Sequence, residues 1–467
     1  MAPVFEYVTE GDGFYTDGSF IQHERFPYTG GYGKSLVKEL AELIYFLHGS
    51  PWPFPPEQVH RAARWIEDSF VPFLFRGMMA DMVSGREISR EYLQNHESGH
   101  IVIGAVLQLA EAAEPKVAQR LKRLAKQWIP ADTYKDFAAE APFLAAGLAR
   151  RLMDDEAVRP AAEERMCALF PQMDRAVYRG PGWLFGISMF SDRTFTYESI
   201  NGENLHGWYT AHGMTYLYDA DLAHYCDGFW PTVDPYRMAG TTVGAVPRED
   251  GYGHRRLGTA SFVGGAVCGG MFGAIGMDLE EPGEWSARKS WFLWGDAVVA
   301  LGSRIRGAAG IRVETIVDNR MLTKAGGNAV AAGTSGNRRV ILNSADGQQT
   351  LRADWIHLEG NVPGADIGYA FPRPASVQVL RETRTGRWSD INKKGPDKDL
   401  ARRYVTMWFD HGVQPLDADY AYVLLPGRSA AETAAYADSP QTEIVELSSE
   451  VHAVRASGLG LFAAHFW

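Results

Sequence analysis

The spacing of apolar residues changes character once along this chain, near Tyr178-Arg179-Gly180-Pro181-Gly182. Before that point it is helical. Lys34–Leu47 (KSLVKELAELIYFL), Val59–Phe75, Ile101–Ala112, Val117–Trp128, Phe137–Met153 and Ala161–Leu169 each carry apolar residues at helical intervals, with short Pro- or Asp-containing links between them. This succession predicts stacked helical hairpins. After the change come short β-rich stretches: Trp183–Met189, Arg312–Val317, Arg338–Leu342, Ser376–Leu380, Tyr404–Phe409 and Tyr420–Leu425, separated by Gly, Asn, Asp and Pro turns. Helices first and strands afterwards predict a multidomain α+β chain, with a large antiparallel β-sandwich behind the helical part. The expected divisions are a helical region over 1–174, the sandwich over 175–450, and a further β segment beginning at 451–467.

Composition narrows the function classes. Apolar residues make up 46% of the 467 residues, enough for large cores and too many for a disordered chain. Lys+Arg 46 against Asp+Glu 57 leaves a net charge of −11, which argues against general nucleic-acid binding. Cys167, Cys226 and Cys268 have neither metal-ligand spacing nor the number for a disulfide framework. The uncharged stretch Phe262–Met277 is shorter than the ~20 residues of a spanning helix and contains six glycines, so buried strands with a turn are expected there and no membrane partner. The first twenty residues, MAPVFEYVTEGDGFYTDGSF, show no basic segment followed by an apolar one, and no signal peptide is expected in them.

Four segments could carry chemistry. His96-Glu97-Ser98-Gly99-His100 fits H-E-x-x-H, which on a helix holds zinc between two histidines with the glutamate as base. Gly99 weakens that helix by ~1 kcal/mol, and no further ligand pattern follows. A zinc peptidase is therefore the outside reading, against a plain helix start capped by Asn95. The second segment is Asp17-Gly18-Ser19-Phe20-Ile21-Gln22-His23 followed by Tyr28-Thr29-Gly30-Gly31-Tyr32-Gly33. It places a His and a Tyr beside a Gly-rich turn, with Tyr32 at a helix N-terminus where the dipole favours an anion. A capping His and a core Tyr are the structural alternative. In the third, Asp81–Arg90 (DMVSGREISR), Arg86 and Arg90 are four apart and on a helix would share a face able to hold a carboxylate or sulfate, or to pair with Glu87 and Glu91. The fourth, Asn201-Gly202-Glu203-Asn204-Leu205-His206-Gly207-Trp208-Tyr209-Thr210 and the aromatic stretches up to Gly240-Thr241-Thr242, mixes amides, a carboxylate and many rings, as a saccharide cleft would.

In this order the blocks DGSF-x-x-H…YTG-x-YG, DM-x-x-GR-x-ISR and N-x-EN…GWYT…GMTYLY…FWPTVDPYR-x-x-GTT resemble the polysaccharide lyases that include hyaluronate, chondroitin AC and xanthan lyases. Further similarity lies in Met277-Asp278-Leu279 and in Glu314–Arg320. The resemblance implies a partial α/α toroid followed by a central antiparallel β domain, extracellular action as a monomer on an acidic polysaccharide, and no metal or organic cofactor. It implies that His23 and Tyr32 are the catalytic His and Tyr, that Arg86 and Arg90 are the two arginines, and that Glu203 is the acidic residue of the β domain. Asn201, Asn204 and Trp208 are expected to bind substrate. The implied reaction removes the C5 proton of a uronate and breaks its 4-O-glycosidic bond, with Tyr32 as base and then acid. One departure stands out: the family's catalytic Asn lies upstream of the His in a Trp-rich stretch that this sequence does not contain. A catalytically impaired, sugar-binding remnant is therefore the alternative expectation, with little or no turnover by this chain alone.

Overall fold

The computed structural model describes residues 2–334, 337–341 and 346–467. They form two compact units, one of residues 1–164 with 170–173, the other of residues 165–169 and 174–467.

The first unit is mainly helical. Its helices are α1 (Lys34–Leu47), α2 (Pro56–Trp65), α3 (Asn95–Ala112), α4 (Pro115–Ala131), α5 (Phe137–Glu140) and α6 (Phe143–Asp154). Three of the expected helices differ, and proline figures in each. Pro142 breaks the predicted Phe137–Met153 helix into α5 and α6, because its ring excludes helical geometry from the residue before it. Beyond α2 the chain widens into a π-type turn (Ile66–Phe70), tightens at Val71–Phe73 where Pro72 sits, and ends extended at Leu74–Phe75. The predicted helix Ala161–Leu169 is absent: behind Pro160 the chain runs without regular structure into the strand Met166–Phe170. There the chain lies beside the strand Arg175–Gly180, and Cys167 also donates its backbone N–H to the Gly270 carbonyl, so sheet pairing overrides helix-favouring alanines and glutamates.

The second unit is a sandwich of antiparallel sheets. Four strands, Met166–Phe170, Arg175–Gly180, Trp183–Ser188 and Met214–Tyr218, make one layer. The main layer is a twelve-stranded sheet whose central path runs through Arg312–Met321, Leu400–Val413, Ile367–Gly386, Ala418–Pro426, Ala297–Gly307 and Trp285–Trp294. Alternation along Trp285–Trp294 gives the layering directly. Trp291 and Leu293 join the core shared with Phe185, Ile187 and Leu217 of the four-stranded sheet. Phe292 and Trp294 point the other way, into a second core with Val454 and Ala456. Both faces of this strand are covered, which is why its last four residues, Trp291–Trp294, read as an unbroken apolar run. Val451–Ala456 and Leu461–Phe466 form a small sheet with Glu443–Leu447 inside this same unit. Phe262–Met277 lies on the expected hairpin, Val263–Cys268 paired with Phe272–Glu281, but only Val263 of its first strand is buried. Of the predicted strand Arg338–Leu342, Leu342 lies outside the described residues.

Candidate active site

Tyr32 sits in a π-type turn, Thr29–Gly33, that runs directly into α1 at Lys34. A Cβ on Gly31 would fall 2.5 Å from the ring of Tyr28, and one on Gly85 only 2.1 Å from it. Two loops thus close onto Tyr28, which is wholly buried, while Tyr32 keeps partial exposure. His23 follows the strand Phe20–Gln22 in a left-handed conformation (φ +52°). Asp12 fixes the backbone around it, accepting from Gln22 Nε2 (2.7 Å) and from the backbone N–H of Glu24 (2.8 Å). The rings of His23 and Tyr32 lie edge to face, 4.8 Å between centroids.

Arg86 and Arg90 are not neighbours on a helix face, contrary to their spacing. Gly85–Ser89 is a tight 3₁₀ turn and Arg90 is already extended, so the two guanidiniums are separately held. Arg86 donates through Nη2 to the Tyr32 hydroxyl (3.0 Å). Its backbone N–H and its Nη1 both donate to the Tyr28 hydroxyl, at 3.0 and 3.2 Å. Arg90 Nη1 donates to Glu87 Oε1 (3.0 Å), and Glu87 Oε2 accepts from Lys34 Nζ (2.8 Å), which also donates to Ser98 Oγ (3.1 Å). Burial pushes the Lys34 ammonium down from its ordinary range, and the ion pair with Glu87 opposes this. The first unit therefore brings His23, Tyr32 and Arg86 together, with Arg90 tied through Glu87 to the start of α1. A phenol hydroxyl held by a guanidinium, with an imidazole edge to face against its ring, is an arrangement able to exchange a proton. Tyr28 heads the YTG-x-YG block, but residue spacing reveals neither what it holds nor the role of Glu87, which by spacing alone is a solvated partner.

In the second unit, Glu203 lies in a loop where Asn201 (φ +57°), Gly202 (φ +76°) and Asn204 (φ +55°) all adopt left-handed backbone. This loop is zipped to residues 391–393: Lys393 N–H donates to Gly202 O (2.8 Å) and Leu205 N–H to Ile391 O (3.0 Å). Asn204 Nδ2 donates to Glu198 O (2.9 Å). Trp208 is buried (6% exposed), its indole N–H on Glu249 O (2.9 Å) and its ring beside His206 and Tyr236, so it braces the loop.

The H-E-x-x-H segment starts α3, capped by Gln94 rather than the expected Asn95. His96 Nδ1 and His100 Nε2 both lie on one oxygen of Asp132, at 2.7 and 2.9 Å. Burial would raise the Asp132 carboxyl, but hydrogen bonds from His100 and His96 outweigh it and hold the group below its ordinary range. Glu97 is engaged with the Gln94 backbone and with Lys135. Gly99 is required by packing, since a Cβ there would fall 1.8 Å from Gly77 O. Among the described residues, no cluster of three His, Cys, Asp or Glu side chains is arranged to hold a metal ion.

Comparison with known proteins places both units. Residues 165–437 match the super-sandwich domain of polysaccharide lyase family 8, and residues 1–127 match that family's N-terminal alpha-helical domain. The chain is 45% identical to a xanthan lyase of Bacillus sp. (strain GL1), over 99% of this chain and 50% of that protein. It is 42% identical to a hyaluronate lyase of Thermasporomyces composti, over 100% of this chain and 60% of that one. Among solved structures, a Paenibacillus xanthan lyase superposes with a TM-score of 0.96 at 41% identity, covering 100% of this chain and 45% of that chain. The Streptomyces coelicolor A3 chondroitin AC lyase in complex with chondroitin sulphate gives 0.89 at 37%, covering 100% and 62%. The chain thus spans about half to three fifths of the length of these relatives.

Proposed function

The chain belongs to polysaccharide lyase family 8, and we propose that it cleaves a uronate-containing acidic polysaccharide of the hyaluronan, chondroitin or xanthan type by β-elimination. The observation that carries this reading is the contact between Arg86 Nη2 and the Tyr32 hydroxyl, with His23 against the same ring. Tyr32, held by Arg86, acts as the base that takes the C5 proton. The C5–H electrons form the C4–C5 double bond, the C4–O4 bond breaks, and Tyr32 returns the proton to the leaving oxygen. Arg86 and Arg90 stabilise negative charge as it spreads toward the uronate carboxylate, and His23 assists beside the tyrosine. In the second unit, Glu203 is assigned as the acidic residue of the reaction, and Asn201, Asn204 and Trp208 to its sugar-binding loop. Substrates of this kind are extracellular polymers, and the proposal carries extracellular action with it.

The test is the absorbance of unsaturated uronate released from hyaluronan, chondroitin and xanthan. Product from at least one of them is expected. Tyr32→Phe should lower kcat by at least about 10²-fold, the loss typical of removing a general acid–base group. No product from any of the three, or full activity in Tyr32→Phe, would remove the reading.

A further inference from the structure

We propose that Tyr28 is a positioning residue for the lyase reaction: from beneath the site it holds Arg86 in the one orientation that places a guanidinium N–H on the Tyr32 hydroxyl. This rests on the lyase reading and assigns a role to a residue that cannot itself meet substrate, since Tyr28 is 0% exposed. Its hydroxyl oxygen accepts from both ends of one residue, the backbone N–H of Arg86 (3.0 Å) and its Nη1 (3.2 Å). The arginine side chain is thereby curled into a closed loop. A guanidinium is rigid and planar, so fixing Nη1 fixes the direction of Nη2, and Nη2 is the donor to Tyr32 (3.0 Å). The ring is fixed in turn by the loops that close on it at Gly31 and Gly85. Its edge-to-face contact with Tyr32 (5.0 Å between centroids) sets the two phenols relative to each other. An arginine tethered only at its tip would sample many rotamers, and the Tyr32 contact would be made only part of the time.

Tyr28→Phe removes the acceptor and keeps the ring. In the full chain it is expected to lower kcat on the order of 10-fold, with KM within about twofold, because the loss falls on an alignment and not on ground-state binding. A merely structural role would lower the melting temperature and leave kcat per folded molecule unchanged, which would overturn the proposal. In a cycle with Arg86→Lys, the double variant should be no slower than Arg86→Lys alone, because Tyr28 acts only through Arg86. Additive losses would overturn it. A crystal structure of Tyr28→Phe tests the same point independently of turnover. Arg86 Nη2 should leave hydrogen-bond distance of Tyr32, and a retained contact refutes the proposal. Absence of product from the parent chain removes the lyase reading, while that structure still decides whether Tyr28 sets Arg86.

Discussion

Lowering the pH from 7 to 5 is expected to destabilise the second unit through His452 and His465. Ser290 Oγ, buried in the main sheet, lies 2.7 Å from Nδ1 of His452 and 2.8 Å from Nδ1 of His465. His452 Nε2 reaches Ser303 Oγ at 2.8 Å, and Trp467 packs on both imidazoles. One hydroxyl carries one proton, so two neutral rings satisfy it when one Nδ1 accepts and the other donates. Protonating the accepting ring would set N–H against O–H. Burial pushes His452 down to about 3, with His465 and Arg288 adding to the effect, and pushes His465 down to about 4, both from 6.5. The folded values lie below the unfolded one, so the unfolded chain binds more protons in acid. The stabilisation is complete above pH 6.5 and is lost as the pH falls from there toward 4 and 3. At pH 5 each ring should cost ~2 kcal/mol, and the pair ~4 kcal/mol. Burial also lowers His212, His224 and His411, and it raises Asp219 to about 6, which works in the opposite sense. The comparison must therefore be with a variant lacking the pair. In urea unfolding followed by tryptophan fluorescence at pH 7 and pH 5, the parent should lose ~4 kcal/mol more than His452→Gln/His465→Gln. Equal losses in the two proteins would mean that the two rings are not the source of the acid sensitivity.

Two more expectations concern α3. Gly99→Ala should destabilise the first unit by about 1–3 kcal/mol in thermal unfolding despite alanine's better helix propensity, because the added Cβ meets the Gly77 carbonyl and backbone cannot swing aside. A neutral or stabilising result would show that the contact yields. Elemental analysis of chelator-washed protein should find no stoichiometric zinc, since both histidines are committed to Asp132 and Glu97 to the helix cap; one zinc per chain would overturn this.

The two-part architecture was legible because the two periodicities differ along the sequence; the six stretches read as strands from Trp183 onward each overlap a strand, but Met214–Tyr218, Trp285–Trp294, Ala297–Gly307 and Gly347–Leu358 lie outside them. Local rules failed where a partner distant in sequence decides the conformation. Ala161–Leu169 has helix-favouring composition, but its second half is a strand beside Arg175–Gly180, and Cys167 N–H reaches the Gly270 carbonyl, which no local window contains. The H-E-x-x-H match failed for the same reason. Its two histidines do face one way, as i and i+4 spacing requires, but what they face is Asp132, from the far end of α4.

The arginines show which part of a site a sequence withholds. Spacing of four residues predicts a shared helix face only if there is a helix, and Gly85 (φ +58°) opens a 3₁₀ turn instead. The site then depends on two oxygens to which spacing gives no role, the Tyr28 hydroxyl for Arg86 and the Glu87 carboxylate for Arg90. The residues that meet substrate are constrained by reaction chemistry, which limits them to a few side-chain types and makes them recognisable. The residues that aim them are constrained only by reach and by room. That room is made at Gly31 and Gly85, where a Cβ would occupy the space of the Tyr28 ring. In this chain the glycines beside the site are therefore better pointers to its supporting residues than the spacing of the charged groups.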